Sequence, residues 1–437
     1  MAGLSLTLNT AEQSLLNTQT ELQVSSNNIS NASNTWYARE VADQTANPDV
    51  ERTYGWLGTG ASVSQITQVR NQYLEGQLMN ANSDYSLYSG LASQLQSIQS
   101  AASDSGTSGI SEALGTFWNA WDTLSQDPSD VSSQSAVYQA AQNVASTIQS
   151  TYSRLNEIGT NEISGQIQDT VNQANSLIDQ IAQLNTSIVQ AQAETGGDEA
   201  NGLIDQRYKA MDSLSQLIPV SFSTAANGMV TVTTNVTSGP ATIVSGGTAT
   251  PITTSWTITG GQLGGLLQAQ TDLDGYMSQL NTFTSSLVSE VNYLSTTNGG
   301  KDVFSDTAGQ EASTINAYTT FLKGPTSAQL SSAAVSIANL QDVSLNFSDG
   351  TTGTLENYLS KIQEDIGRDV QQANTNASDS QALQTQLQSQ QQSVSGVSID
   401  EEMVHIIQYQ QVYQAAAKVV ETTSSLMNTA ISMVPAA

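Results

Sequence analysis

The chain has 437 residues, enough for two or three domains, and sets 11 Lys+Arg against 39 Asp+Glu for a net charge of −28. Charged residues make up only 11%, so Ser, Thr, Asn and Gln wet the surface, and so acidic a chain suits neither nucleic-acid phosphates nor anionic lipid. The absence of cysteine and the single histidine, His405, exclude thiol catalysis, Cys-based zinc sites, disulfides and most Ser-His chemistry.

Leu4, Leu8, Ala11, Leu15, Thr18, Leu22, Ser25 and Ile29 follow 4-3-4-3 spacing, which predicts a coiled-coil helix from Leu4 to about Asn28. The Asn-rich run Asn27-Asn28-Ile29-Ser30-Asn31 is expected to close it. The N-terminus has no basic region or long apolar run, so a classical cleaved signal peptide is not expected there. A turn-rich loop, Trp36 to Gly60, follows. Its Gly55, Gly58 and Gly60 do not make a phosphate cradle, since the spacing is wrong and no strand-helix context surrounds them.

Phe117, Trp118 and Trp121 stand at helical spacing and are expected in a core. No proline occurs between Pro128 and Pro219. Val137, Ala141, Val144, Ile148, Thr151 and Leu155 make one helical stripe. After a break at Ile158-Gly159, the stripe Ile167, Thr170, Ala174, Leu177, Ile181, Leu184, Ile188 and Ala191 follows. A second break is centred on Gly196-Gly197. The helix after it, Leu203 to Ile218, sets Asp205 against Lys209 at i,i+4.

Val230–Thr233 and Ser255–Ile258 read as strands, divided by Asn227-Gly228, Gly239-Pro240 and Gly246-Gly247. This small β segment is expected to be peripheral, with the Gly239–Pro251 loop dispensable. Gly260 to Gly265 predicts a tight turn and close packing before a helix through Leu266, Leu273, Tyr276, Leu280 and Leu287. A loop-rich zone, 298–353, precedes a helix from Leu355 to Gln392.

Ser398 and Glu401 form a capping-box pattern, with Asp400 and Glu402 adding charge to the first turn. The last seam is Met403, Ile406, Gln410, Tyr413, Ala417, Val420, Ser424, Met427, Ile431 and Val434. His405, in an apolar stretch without partners, is expected to pack and not to ligate a metal. The predicted class is mainly α: an elongated multi-helix rod with paired, antiparallel N- and C-terminal coiled-coil helices and a small β-rich insertion. Expected domains are 1–75 with 376–437 (axial), 76–215 with 264–375 (rod) and 216–263 (insertion).

The motifs resemble those of the flagellar hook-associated protein 1 family. They are Asn27-Asn28-Ile29-Ser30-Asn31, then Tyr37 and Arg39, then Gly202-Leu203-Ile204-Asp205-Gln206-Arg207. Gly260 to Leu267 follows, and Val394-Ser395-Gly396-Val397-Ser398-Ile399-Asp400-Glu401-Glu402 ends the series. Trp36 departs from the pattern, standing where the family has a turn glycine. The resemblance implies a structural junction between bacterial hook and filament, secreted through the flagellar type III apparatus, with no enzymatic activity and no cofactor. It implies assembly through Leu4, Leu8, Leu15, Leu22, Ile29, Met403, Ile406, Tyr413, Val420, Met427 and Ile431. The implied partners are the hook protein, hook-associated protein 3, further copies in a ring, and an export chaperone. The alternatives are a hook-associated protein 3 or flagellin-like subunit, or a type III-secreted helical translocator or tip protein.

Overall fold

The computed structural model describes residues 2–53, 55–103, 109–195 and 200–433, so Gly196-Gly197 and Val434 lie outside the described residues. Helix α1 (Ala2–Asn31) is followed by strands β1 (Glu40–Ala46), β2 (Val50–Arg52), β3 (Gly55–Leu57) and β4 (Ala61–Gln68). Next come α2 (Gln72–Ala102), α3 (Ile110–Gln126), α4 (Val131–Glu157), a π-helical turn (Ile158–Ile163), α5 (Ser164–Thr195) and α6 (Asn201–Leu217). Strands β5 (Val220–Thr224), β6 (Val230–Val236), β7 (Gly239–Ser245) and β8 (Thr248–Ala249) lead to α7 (Gly261–Thr297). After it come β9 (Phe304–Ser305), α8 (Glu311–Thr314), β10 (Asn316–Ala317), α9 (Ser327–Ala338), β11 (Leu345–Asn346) and β12 (Thr352–Gly353). Helices α10 (Leu355–Ser395) and α11 (Ile399–Ser432) end the chain.

Two compact units form. Unit 1 is 1–83, 173–253 and 381–437; unit 2 is 84–172 and 254–380. The boundaries expected from sequence differ, because 173–215 and the β segment belong with the terminal helices. The reason lies in side chains that periodicity does not reveal. Asn185 of α5 donates from Nδ2 to the carbonyls of Val230 (2.8 Å) and Gly246 (2.7 Å) and accepts from Val230 N–H (3.1 Å). Arg207 of α6 is buried and donates to Asn185 Oδ1 and to Gly228 O, at 2.9 and 2.7 Å. The β segment is therefore fastened to two helices of its own unit.

That segment is an antiparallel sheet in the order β5-β6-β7-β8. Gly228, at φ 78°, supplies the left-handed residue its first turn needs. A bulge opposite Val232/Thr233 lets both Ile243 and Val244 face inward, and both are fully buried. Gly239–Pro251 is thus largely strand, with Ile243 and Val244 in the core, and not a loop. Ser255–Ile258 forms no strand, and Ile258 alone makes an isolated bridge.

Elsewhere in unit 1, β1 pairs antiparallel with β4 beside α1, while β2 and β3 make a separate hairpin. The first turns of α2 meet α10 through Leu74, Leu78, Ala81 and Leu387.

Unit 2 holds the aromatic core. Phe117 lies 4.9 Å from Trp118 and 5.6 Å from Phe304 between ring centroids, and Trp121 lies 5.9 Å from Phe321. The α4 stripe from Val137 to Leu155 is buried along its length. The expected break at Ile158-Gly159 is a π turn within a continuing helix, and a Cβ on Gly159 would sit 3.0 Å from Leu273 of α7. The α7 glycines work by close approach: a Cβ on Gly265 would collide with the Leu87 carbonyl oxygen, and one on Gly264 would lie 2.8 Å from the Thr259 carbonyl carbon.

Candidate assembly interface

Helices α1 and α11 lie side by side and antiparallel. Asn28 meets Glu402 at one end, and Ala11 and Ala416 line one groove towards the other. On α1 the predicted seam faces inward: Ala11, Thr18 and Ser25 are buried, and Leu4, Leu8, Leu15, Leu22 and Ile29 are half-buried. On α11, Ile406, Val420 and Met427 are half-buried as members of the seam. The alternate column is displaced by one residue. Glu402, Ala416 and Thr423 are buried with Tyr409 half-buried, whereas Met403, Gln410, Ser424 and Ile431 are exposed and Ala417 is half-buried at the edge. Tyr413 also remains largely exposed. The cause is polar. Glu402 and Thr423 turn inward although hydropathy assigns them to solvent.

Glu402 turns inward to Asn28. That carboxamide uses its full capacity of two donors and two acceptors. Nδ2 donates to Glu40 O (3.0 Å) and Glu402 Oε1 (3.1 Å), while Oδ1 accepts from Tyr37 O–H (2.7 Å) and Glu40 N–H (2.9 Å). Asn28 is 1% exposed and Glu402 3%. Burial, followed by the negative charge of Glu40, raises the Tyr37 phenol well above its ordinary range, so it stays protonated as the donor. One asparagine thereby joins α1, the loop before β1, and the start of α11. Asn27 is exposed and reaches Glu40 Oε2 at 3.1 Å.

A second knot stands behind it. Arg70 donates to Gln68 Oε1 (3.1 Å), Glu75 Oε1 (3.2 Å), Trp36 O (3.1 Å) and Asp205 Oδ1 (2.5 Å), and lies 4.3 Å from the Tyr208 ring centroid. Asp205 thus turns to Arg70 and not to Lys209, while Gln206 between the two inward side chains is exposed. Trp36 serves through its carbonyl. Among the described residues every positive φ belongs to glycine, so this turn does not require one at position 36. Arg39 N–H donates to Ser395 O at 2.8 Å, tying the loop to the end of α10. Gly396 follows there because a Cβ would strike the Gln392 carbonyl oxygen.

At the start of α11, Ser398 Oγ accepts from Glu401 N–H at 3.4 Å, while Asp400 and Glu401 stay exposed. His405 is half-exposed, with Nδ1 3.9 Å from Glu402 Oε2 and its ring 6.0 Å from that of Tyr409. Among the described residues no group of His, Asp and Glu could hold a metal ion, and no helix is long and apolar enough to cross a membrane.

Outside the seam, α11 keeps a second apolar column. Val412, Val419, Leu426 and Met433 recur every seven residues and are all exposed, as are Met403, Val404 and Ile407.

Comparison with known proteins bears on this arrangement. The family described as flagellar hook-associated protein FlgK helical domain matches residues 95–257, and flagellar basal body rod FlgEFG protein C-terminal matches 388–433. Flagellar hook-associated protein 1 of Bacillus subtilis strain 168 is 27% identical over 187 residues, covering 41% of this chain and 37% of that protein. Its counterpart in Salmonella typhimurium LT2 is 32% identical over 84 residues, 19% of this chain and 15% of that one. The matched stretches thus span well under two thirds of these relatives. The solved structure of the flagellar hook junction protein FlgK from Burkholderia pseudomallei superposes with a TM-score of 0.64 at 16% identity, over 73% of this chain and 100% of that one, which establishes the likeness of fold. With the terminal motifs brought together in space, the helical-domain match over 95–257 and the likeness of fold, the chain is similar to flagellar hook-associated protein 1 over these stretches.

Proposed function

We propose that this chain is a structural subunit of the bacterial flagellum that joins hook to filament. The observation that carries the reading is the uncovered heptad column Val412, Val419, Leu426 and Met433 on a helix already paired with α1. A helix pair that merely closed a monomer would turn such a column inward. A subunit within an assembly leaves it for neighbours, where covering it stabilises by about 25 cal/mol per Å². The half-buried seam, Leu4, Leu8, Leu15, Leu22, Ile29, Ile406, Val420 and Met427, holds the pair together. Met403, Tyr413 and Ile431 belong to the surface offered outward.

The partners of this reading are the hook protein on one side, hook-associated protein 3 on the other, further copies of this chain around the axis, and an export chaperone on α11 before assembly. Export through the flagellar type III apparatus without a cleaved signal peptide and the absence of enzymatic activity belong to the same reading. Cells lacking the chain should build hooks, bear no filaments and shed filament subunits into the medium. Reintroduced Val412→Asp/Leu426→Asp, altered only at exposed positions, should fold and be exported yet leave the cells without filaments. Normal filaments from that variant would overturn the assignment of this surface.

A further inference from the structure

Trp56 is the exposed tryptophan of the described residues, at 70%; Trp118 and Trp121 are buried, and Trp36 and Trp256 half-buried. It stands on the β2–β3 hairpin, opposite Glu51. Side chains alternate across a strand, so Leu57 and Trp56 take opposite faces. Leu57 and Gly58 border a groove of about 440 Å³ between α1 and α11, walled by Leu6, Ala11, Val412 and Val419. The indole is therefore directed away from the groove its own hairpin borders.

The groove has no charged residue in its lining. Its flank does: Lys418, two residues beyond the groove-lining Ala416, is exposed, holds Glu421 at 2.8 Å in an exposed ion pair, and is the one Lys or Arg in the sequences of α1 and α11. Hairpin and groove are thus complementary in kind, an indole beside a carboxylate against an apolar cleft beside an ammonium. A chain of net charge −28 brings copies together most readily where carboxylates are few and a cation held only by an exposed ion pair can be shared.

We propose that Trp56 of one copy seats in the α1–α11 groove of a neighbouring copy, with Glu51 facing that neighbour's Lys418. The inference rests on the assembly reading above and names its partner, a second copy of this chain. Knob and groove are different patches and every copy carries both. The contact is therefore heterologous: it passes from copy to copy into a ring or helix and does not close as a dimer. An aromatic anchor filling an apolar cleft is the usual form of a dominant interface residue.

The chain has no native cysteine, so single cysteines report one contact each. Full-length Thr53→Cys, at the hairpin turn, is mixed with full-length Ala415→Cys, in the groove, and oxidised at high concentration. The mixed cross-linked dimer should exceed several-fold that formed with Tyr293→Cys, an exposed control. Adding Trp56→Ala to the hairpin copy should reduce it at least tenfold. Glu51→Lys should weaken it, and Lys418→Glu in the groove copy should restore it. A mixed yield no higher than the control, or one indifferent to Trp56→Ala, overturns the proposal. The junction reading is judged separately by complementation. Restored filaments without the cross-link sink this contact alone, whereas the cross-link without restored filaments sinks the junction role alone.

Discussion

Asn28→Asp exchanges one NH₂ for an oxygen and should be among the most damaging isosteric changes in unit 1. Two donated bonds vanish, to Glu40 O at 3.0 Å and to Glu402 Oε1 at 3.1 Å. The neutral bond is worth about 1 kcal/mol and the charge-assisted one about 1.5–3 kcal/mol. The new carboxylate also faces Glu402 where the two residues are 1% and 3% exposed. At an effective dielectric near 20, like charges ~4 Å apart repel by about 4 kcal/mol. Uptake of one proton relieves the repulsion, at a cost near 4 kcal/mol if it requires a pKa rise of roughly three units at pH 7. Because that proton also restores an O–H donor between the two carboxyls, the loss at neutral pH is the neutral bond plus the protonation, about 5 kcal/mol. It shrinks as pH falls, because the proton is then taken up at less cost. Glu402→Gln still offers Asn28 an acceptor and removes a buried charge, so its effect should stay within about 1 kcal/mol of either sign. Asn28→Asp/Glu402→Gln returns a donor across the pair and should recover about half the loss. Urea denaturation of the full chain, with hydrogen exchange read over Leu8–Leu22 and Tyr413–Met427, follows unit 1 separately from unit 2. A loss below about 1 kcal/mol for Asn28→Asp, or additivity in the double variant, would refute the reasoning.

Asp212 is buried, accepts from Asn82 Nδ2 (2.6 Å) and Gln216 Nε2 (3.2 Å), and has its carboxyl pushed up to about 6 by burial. The folded state then binds the extra proton, so unit 1 should lose stability as pH rises from about 4 to 6; Asp212→Asn should flatten that slope and stabilise at pH 7 by on the order of 3 kcal/mol in urea titrations. Val420→Asp places a charge on the half-buried seam and should cost several kcal/mol, with hydrogen-exchange protection lost on both terminal helices; protection unchanged would remove Val420 from the seam. Gly396→Ala should cost about 1–3 kcal/mol through its clash with the Gln392 carbonyl, and a thermal melt equal to the parent's would show that the end of α10 yields freely.

The helical plan was legible because it rests on period. The stripe from Val137 to Leu155 and the α1 column were readable as apolar spacing, and the structure buries or half-buries them. The α11 register was half legible. Ile406, Val420 and Met427 are apolar and inward, but Glu402 and Thr423 are polar and inward, which hydropathy places on the wrong side. Asn28 and Asp205 were visible as motif residues without a visible task. Their partners, Glu402 and Arg70, stand 374 and 135 residues away. Nor could spacing say that 173–215 belongs with the β segment, since Asn185 and Arg207 look like ordinary polar positions of exposed helices.

The asparagines also explain how a chain so poor in charge holds its parts together. A helix side chain that pairs with both the N–H and the C=O of one residue imitates a strand neighbour. Asn28 does so for Glu40, Asn185 for Val230, Asn175 for Ile252, and Asn292 for Phe304. Such pairing satisfies buried backbone groups without any net charge. Apart from the buried Arg70 knot with Glu75 and Asp205, ion pairs supply little beside it. Lys361–Asp365, Arg368–Asp365 and Lys418–Glu421 each leave at least one partner substantially exposed, and pairs of that kind contribute about 0–1 kcal/mol apiece. Self-repulsion at net charge −28 then outweighs attraction over the surface as a whole. Added salt should accordingly stabilise. Raising sodium chloride from roughly 10 to 200 mM shortens the screening length from about 30 Å to under 10 Å, which weakens long-range repulsion while leaving buried amide pairs untouched. The urea midpoint of the full chain should rise or hold. A fall equivalent to more than about 1 kcal/mol would mean that ion pairs, and not carboxamides, carry the tertiary contacts.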